Sequence, residues 1–211
     1  MFLVDLFVFG NPILRIRLGD TQHSQKEKNM ELHEAIGKRR TIRIFKKKAS
    51  EEQLKTIILA GTQAPSAGNS QPWEFIIIDD QKIIDQIAER KYQLSLTMPP
   101  RAGEGPDQIQ ERALGQKKSF DNASSVAVCH KKGAAANAWL CIENMSLVAV
   151  ANGLGSGIVV FWGEQEMEVK KILGIPEDYE LAAVLKIGEP GEKPSPPPKR
   201  PESSWLHRNR F

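Results

Sequence analysis

Residues 38–48 read Lys38-Arg39-Arg40-Thr41-Ile42-Arg43-Ile44-Phe45-Lys46-Lys47-Lys48, a concentration of cations between two helical patterns. Arginine forks meet phosphate oxygens two bonds at a time, and Thr41 adds a hydroxyl, so the chemistry on offer is the grip of a phosphate or another anion. Taken alone, such a run is as a rule a solvated face, and Lys46, Lys47 and Lys48 read as solvated. A second stretch, Ala64-Pro65-Ser66-Ala67-Gly68-Asn69-Ser70-Gln71-Pro72-Trp73, is a loop of small, turn-forming residues that runs into an apolar segment. Its small side chains let a flat ligand or another backbone come close, and Ser66, Asn69 and Gln71 supply hydrogen-bonding groups. By composition alone it is a helix-to-strand connector.

Other kinds of chemistry have little support. The four histidines, His23, His33, His130 and His207, form no cluster with a carboxylate or thiol at motif spacing. His130, at the end of an expected strand, reads as structural. Cys129 and Cys141 sit in apolar surroundings without a C-x-x-C spacing, which fits reduced core residues better than a disulfide framework or a zinc site. A net charge of +3 over 211 residues gives no general argument for nucleic-acid or anionic-membrane binding.

The elements that must position the two stretches follow from periodicity. Leu32, Ala35 and Ile36 predict a short amphipathic helix that ends at the basic block. Ser50 with Gln53 forms a capping box, and Leu54, Ile57, Ile58 and Gly61 lie on one face of a helix that stops before Ala64-Pro65. Residues 74–78 predict a buried strand, Asp79-Asp80 a helix cap, and Ile83, Ile84, Ile87 and Ala88 the helix that follows. Between 94 and 122 the pattern is lost among prolines and glycines. This predicts a surface insertion, a lid or a disordered segment, with one helical turn around 108–114.

Residues 125–130 predict a strand, and 134–152 the longest helix, apolar on nearly all sides and so centrally buried. Gly153, Gly155 and Gly157 end that helix and lead to a strand at 158–162, a helix at 164–173 and a last strand at 181–187. Gly153-Leu154-Gly155 precedes a strand instead of opening a helix, so it is not a dinucleotide phosphate loop. At 211 residues, 40% hydrophobic and 26% charged, the chain suits one compact domain. Residues 1–29 read as a peripheral extension and 30–211 as the domain. The apolar run 1–18 is interrupted by Asp5, Asn11, Pro12 and Arg15, and makes a poor membrane span or signal peptide.

Taken together the motifs are far more specific. Arg39-Arg40-Thr41-Ile42-Arg43-Ile44-Phe45, then a capped helix, then the 64–73 loop and its strand resemble the opening of the FMN-dependent nitroreductase family. Residues 143–157 (ENMSLVAVANGLGSG) resemble its long central helix and glycine-rich exit, and Ile187-Gly188-Glu189-Pro190 its final strand. The resemblance spans about residues 31–200.

It implies an α+β fold with a central, mainly antiparallel sheet flanked by helices, in an intertwined homodimer with FMN at the subunit interface. Arg39, Arg40 and Thr41 match the segment that holds the FMN phosphate and ribityl chain, and Arg43 the basic position beside the flavin pyrimidine ring. Pro65, Ser66 and Asn69 match the loop contributed by the second subunit. Lys199 and Arg200 match the basic pair near the phosphate, and 158–161 the backbone that faces the flavin. A cation at the pyrimidine edge stabilises the reduced cofactor and raises its potential.

The implied activity is transfer of hydride from NADH or NADPH, through the flavin N5, to a small electron-poor acceptor such as a nitroaromatic or quinone. No catalytic side chain is required, since the flavin carries the chemistry, and the expected compartment is the cytoplasm. A family member specialised for dehalogenation, dehydrogenation or ring cleavage is the alternative. A non-catalytic flavin or nucleic-acid binder ranks lower, because the chain lacks exposed aromatics interleaved with its cations.

Overall fold

The computed structural model describes residues 30–211, together with two short strands nearer the N-terminus, β1 (Phe7–Val8) and β2 (Asn11–Pro12), which pair antiparallel. The rest of the expected 1–29 extension lies outside the described residues. In chain order follow α1 (Leu32–Lys38), β3 (Phe45–Lys48), α2 (Glu51–Gly61), β4 (Trp73–Ile78), α3 (Gln81–Leu96) and α4 (Pro106–Lys118). Then come β5 (Ser124–Lys131), α5 (Ala135–Ala151), β6 (Gly155–Val159), α6 (Gly163–Ile172) and β7 (Tyr179–Pro190). The fold is α+β, as expected: an antiparallel sheet in the order β3-β7-β5-β4, with β6 also paired to β7.

β7 is the hub, and its residues Leu181 to Ile187 are buried against helices on both sides of the sheet. One cluster joins α2 and α5 to the sheet through Leu54, Ile57, Ile142, Met145, Val126 and Leu185. The other joins α3 and α6 to it through Ile84, Ile87, Val169, Ala127 and Val184. Each such valine, leucine, isoleucine or methionine side chain removed from water stabilises the fold by about 1.5–3 kcal/mol.

Local signals fixed the helix starts. The Ser50 hydroxyl accepts the Gln53 N–H at 3.2 Å while the Gln53 side chain accepts the Ser50 N–H at 2.9 Å. Asp80 caps α3 by accepting from the Lys82 N–H at 2.8 Å.

Four expectations need correction. The 94–122 stretch is mostly helical: α3 runs to Leu96, and α4 packs along it with Ala113 fully buried and Lys117 paired to Glu89 at 2.7 Å. A proline interrupts a helical pattern from inside, but Pro106 stands at the first position of α4, where its missing N–H costs nothing. β4 is an edge strand, so Glu74 and Ile77 are exposed. Lys46, Lys47 and Lys48 are solvated as expected but belong to strand β3, an element that their charge concealed.

Finally, β6 begins three residues before the expected strand, at Gly155, because the glycines there serve close packing as well as helix termination. The Ile42 N–H donates to the Ser156 carbonyl at 2.9 Å, and Thr41 bridges Ser156 in parallel. A Cβ on Gly155 would lie 2.5 Å from Ile42 Cγ1, and one on Gly157 would lie 2.4 Å from the Ile42 carbonyl oxygen. Backbone cannot yield as a flexible side chain does. Gly157→Ala is therefore expected to lower stability by about 1–3 kcal/mol in urea denaturation. Gly37→Ala, on α1 with nothing within 4 Å of the added methyl, should instead stabilise by about 0.5–1 kcal/mol.

Candidate functional site

The basic segment is held on both sides. β6 supports it through Ile42, which is buried with Phe45 and Ala123. From the other direction the Glu192 carboxylate accepts the backbone N–H of Arg43 and, at 3.1 Å, that of Ile44, while the Gly191 N–H donates to the Ile44 carbonyl at 2.8 Å. Glu192 was not singled out in the sequence, because a carboxylate that binds backbone has no motif. With Ile42 turned inward, Thr41 and Arg43 are exposed.

Side chains of the segment go to different places. Arg39 Nε lies 3.7 Å from Glu143 of α5. Arg40 folds back, donating from Nη1 to the carbonyls of Gly37 at 2.9 Å and Arg39 at 2.7 Å. Its Nε is buried without a hydrogen-bond partner among the described residues. Arg40 and Ile42 line a cavity of about 460 Å³ between α1, the end of α5 and the tail after β7. Arg43 instead lines a cavity of about 530 Å³ beneath α4.

The 64–73 loop is exposed beyond Ala64 as far as Gln71, apart from half-buried Ser66. Gly68, Asn69 and Gln71 adopt φ of 60°, 53° and 44°, and the Ser66 hydroxyl accepts the Gln71 N–H at 3.0 Å. Asn tolerates this left-handed region and glycine is at ease there, whereas Gln71 is strained. Lys199 and Arg200 lie on an exposed, extended tail. Among the described residues, neither Pro65, Ser66 and Asn69 nor Lys199 and Arg200 make a hydrogen bond or ion pair to 39–43. Yet both candidate elements leave from helix ends that meet one turn of α5. Glu143 faces Arg39 at the end of α1, and Asn144 Nδ2 donates to the Ala60 carbonyl near the end of α2 at 3.3 Å.

Contrary to the expectation of full burial, α5 is covered on one face only within the chain. Ala138, Cys141, Ile142, Met145 and Ala149 are buried, while Trp139 and Leu140 remain 41% and 45% exposed, as Leu32 and Ile36 of α1 and Leu59 of α2 are also exposed. Cys141 and Cys129 are unpaired, and burial pushes both thiols up to about 11. His130 is buried with Nδ1 at 2.8 Å from the Lys131 carbonyl, in keeping with a structural role.

The strongest electrostatic feature escaped sequence reasoning. Lys186, in the middle of β7, is 2% exposed; its amine donates to the Ser119 hydroxyl and lies 5.1 Å from the Phe120 ring centre. Nearby Lys91 is also buried, donating to the Val160 carbonyl at 3.3 Å and lying 5.4 Å from the Trp162 ring centre. Neither lysine has a salt bridge among the described residues. Burial, and then the charges of Arg43 and Lys91, hold the Lys186 amine down to about 7, against the small opposing pull of Glu192; burial also lowers Lys91. A lone lysine inside an apolar strand reads as noise in a periodicity argument.

This depression has a sign that denaturation can read. An amine at about 7 when folded but near 10.5 when unfolded opposes folding in full below about 7, less and less as pH rises, and not at all above 10.5. Lys186→Met should therefore stabilise the chain more at about pH 6 than at about pH 10. A gap in urea midpoint that stays constant or widens with pH would refute the depressed amine.

Comparison with known proteins agrees with this architecture. The chain is 29% identical over 184 residues to an iodotyrosine deiodinase of Thermotoga neapolitana, an alignment covering 84% of this chain and 96% of the relative. It is 30% identical over 187 residues to a 5,6-dimethylbenzimidazole synthase of Rhodospirillum rubrum, covering 81% and 86%. A crystal structure of oxidized iodotyrosine deiodinase bound to FMN and 3-iodo-L-tyrosine superimposes with a TM-score of 0.68 at 25% identity, covering 86% of this chain and all of that one. Residues 36–189 match the Nitroreductase family. With the fold, the glycine-seated basic segment and the match over most of its length in agreement, the chain belongs to the nitroreductase family.

Proposed function

We propose that this chain is an FMN-dependent oxidoreductase that takes electrons from NADH or NADPH and delivers them to a small electron-poor acceptor such as a nitroaromatic or quinone. It acts as a homodimer with the cofactor at the subunit interface. The observation that carries this reading is the 39–43 segment, fixed on β6 and Glu192 with cationic donors left over. Arg40 Nε is buried without a partner, the Thr41 hydroxyl is exposed, and the Arg43 guanidinium makes no ion pair among the described residues. A phosphate-bearing flavin offers acceptors to all three, so these residues fit that group.

In this reading Arg39, Arg40 and Thr41 hold the phosphate and ribityl chain, and Arg43 lies beside the pyrimidine ring. Lys199 and Arg200 close over the phosphate, and Pro65, Ser66 and Asn69 come from a second copy. When bound, FMN supplies the two-electron chemistry, accepting hydride from the nicotinamide and passing the electrons to the acceptor. The protein's part is to orient, to exclude water and to set charge. Arg43 favours negative charge on whatever binds there, and Lys186 adds to it below about pH 7, where its amine is charged. The uncovered apolar face of α5 supports the dimer.

A specialised flavin reaction is the second reading, favoured because the relatives at 29% and 30% identity are a deiodinase and a synthase. Turnover assays with nitroaromatics, quinones and 3-iodo-L-tyrosine separate the two.

The purified protein should be yellow, absorbing at about 450 nm, bleached by NADH or NADPH, and dimeric by sedimentation. Arg39→Ala should weaken FMN binding about tenfold, and Ser66→Ala less, measured as flavin retained after dialysis. Colourless, monomeric protein that ignores added FMN would defeat the proposal.

A further inference from the structure

We infer that the cavity beneath α4 is an acceptor subsite that selects molecules bearing a carboxylate or another anionic group, with Arg101 as the recognising residue. This rests on the function proposed above and names the substrate class of the same site. The cavity of about 530 Å³ has Arg43 on one wall and Arg101, Gln108, Glu111, Arg112 and Gln116 of the 94–122 stretch on the other. It therefore joins the residue proposed for the flavin edge to the segment that carries α4.

The charges in this cavity do not cancel. Arg112 is satisfied by Glu104, Nε to Oε1 at 2.8 Å and Nη2 to Oε2 at 3.1 Å, in a pair only 10% exposed on each side. Hydrogen bonding from Arg112 and from the Arg101 backbone, and then the charges of both arginines, hold the Glu104 carboxyl below its usual range, so it stays ionised. Glu111 is then the only carboxylate in the described lining, against the guanidinium groups of Arg43 and Arg101, which have no hydrogen bond or salt bridge among the described residues. Behind the wall, Lys186 binds Ser119 in the turn that ends α4 and adds to the positive field only below about pH 7, where its amine is charged.

Arg101 is also held in place, as recognition requires. Its N–H donates to Glu104 Oε2 at 2.9 Å, and its carbonyl accepts the Glu104 N–H at 2.9 Å. The almost buried Arg112–Glu104 pair thus pins the backbone of Arg101 while leaving its side chain for a ligand. A guanidinium fork next to the amides of Gln108 and Gln116 matches a carboxylate in geometry and in charge, whereas a neutral acceptor gains nothing from it.

The test uses FMN-loaded protein, NADH and NADPH, and two acceptors matched in size, 4-nitrobenzoate and 4-nitrobenzyl alcohol. The wild type should prefer 4-nitrobenzoate in kcat/KM. Arg101→Gln should cut that preference about tenfold, mainly through KM, and Arg101→Lys should restore part of it. Calorimetric titration with 4-nitrobenzoate, with no nicotinamide present, should show the same loss of binding. Equal treatment of the two acceptors by the wild type, or an equal loss on both in Arg101→Gln, overturns the inference. So does loss of flavin from Arg101→Gln, because the cavity would then serve the cofactor's own phosphate. If the wild type neither holds FMN nor oxidises a nicotinamide, the proposed function fails. Arginine-dependent binding of 4-nitrobenzoate in the calorimeter would still sustain the anion subsite, and its absence would remove that too.

Discussion

The site depends on a backbone-to-backbone approach that only missing side chains permit. Ile42 hydrogen-bonds to Ser156, between Gly155 and Gly157, and its own atoms occupy the space where Cβ groups on those glycines would be. Glycine in a strand loses more entropy on folding and has nothing to pack. Here the loss is offset by seating a second chain segment against β6. Because Ile42 points inward, the residues on either side of it must point outward. One apolar side chain thereby sets the exposure of Thr41 and Arg43. Glu192 completes the clamp from the tail, so the end of β7 and the basic segment are ordered together.

Charge accumulates where that clamp ends. Burying an amine without a carboxylate partner is costly, and a hydrophobic side chain at Lys186 would pack against Phe120 without that penalty. The fold keeps Lys186 and Lys91 buried behind an arginine that has no ion pair of its own among the described residues. Below about pH 7, where the Lys186 amine is charged, this surplus opposes folding and attracts an anion that docks at Arg43, and in partly buried surroundings the attraction is less screened than at the open surface. Strongly shifted groups concentrate at sites for this reason.

How much was legible in the sequence depended on the range of the signal. The Ser50 to Gln53 capping box, the Asp80 cap, the 3.6-residue stripes of α2 and α3 and the continuous apolar run of α5 are local signals, and they gave the starts of these helices almost to the residue. The sheet order was not legible, since nothing near β7 announces that it must pair with three strands. α4 was hidden because Pro106 and Gly105 carry opposite meanings inside a helix and at its start. The basic segment and the small-residue loop could be named from their residue types. What holds or charges the site, Glu192, Arg101 and Lys186, could not, because each works through partners at least 67 positions away or through a cavity that folding creates.

The two unsatisfied features of the single chain have a common origin at α5. Its outward face leaves Trp139 and Leu140 to solvent, and neighbouring helices add Leu32, Ile36 and Leu59. The same turn of α5 touches the end of α1, where the basic segment departs, and the end of α2, where the 64–73 loop departs. If that apolar face is buried against a second copy across a two-fold axis, the loop and the basic segment, which both leave from helix ends packed on α5, are brought close to the interface together. Covering the hydrophobic surface and completing the binding site are then a single event. On that geometry, the hydrophobic gain of association supplies the order that a loop of small, exposed residues cannot supply for itself.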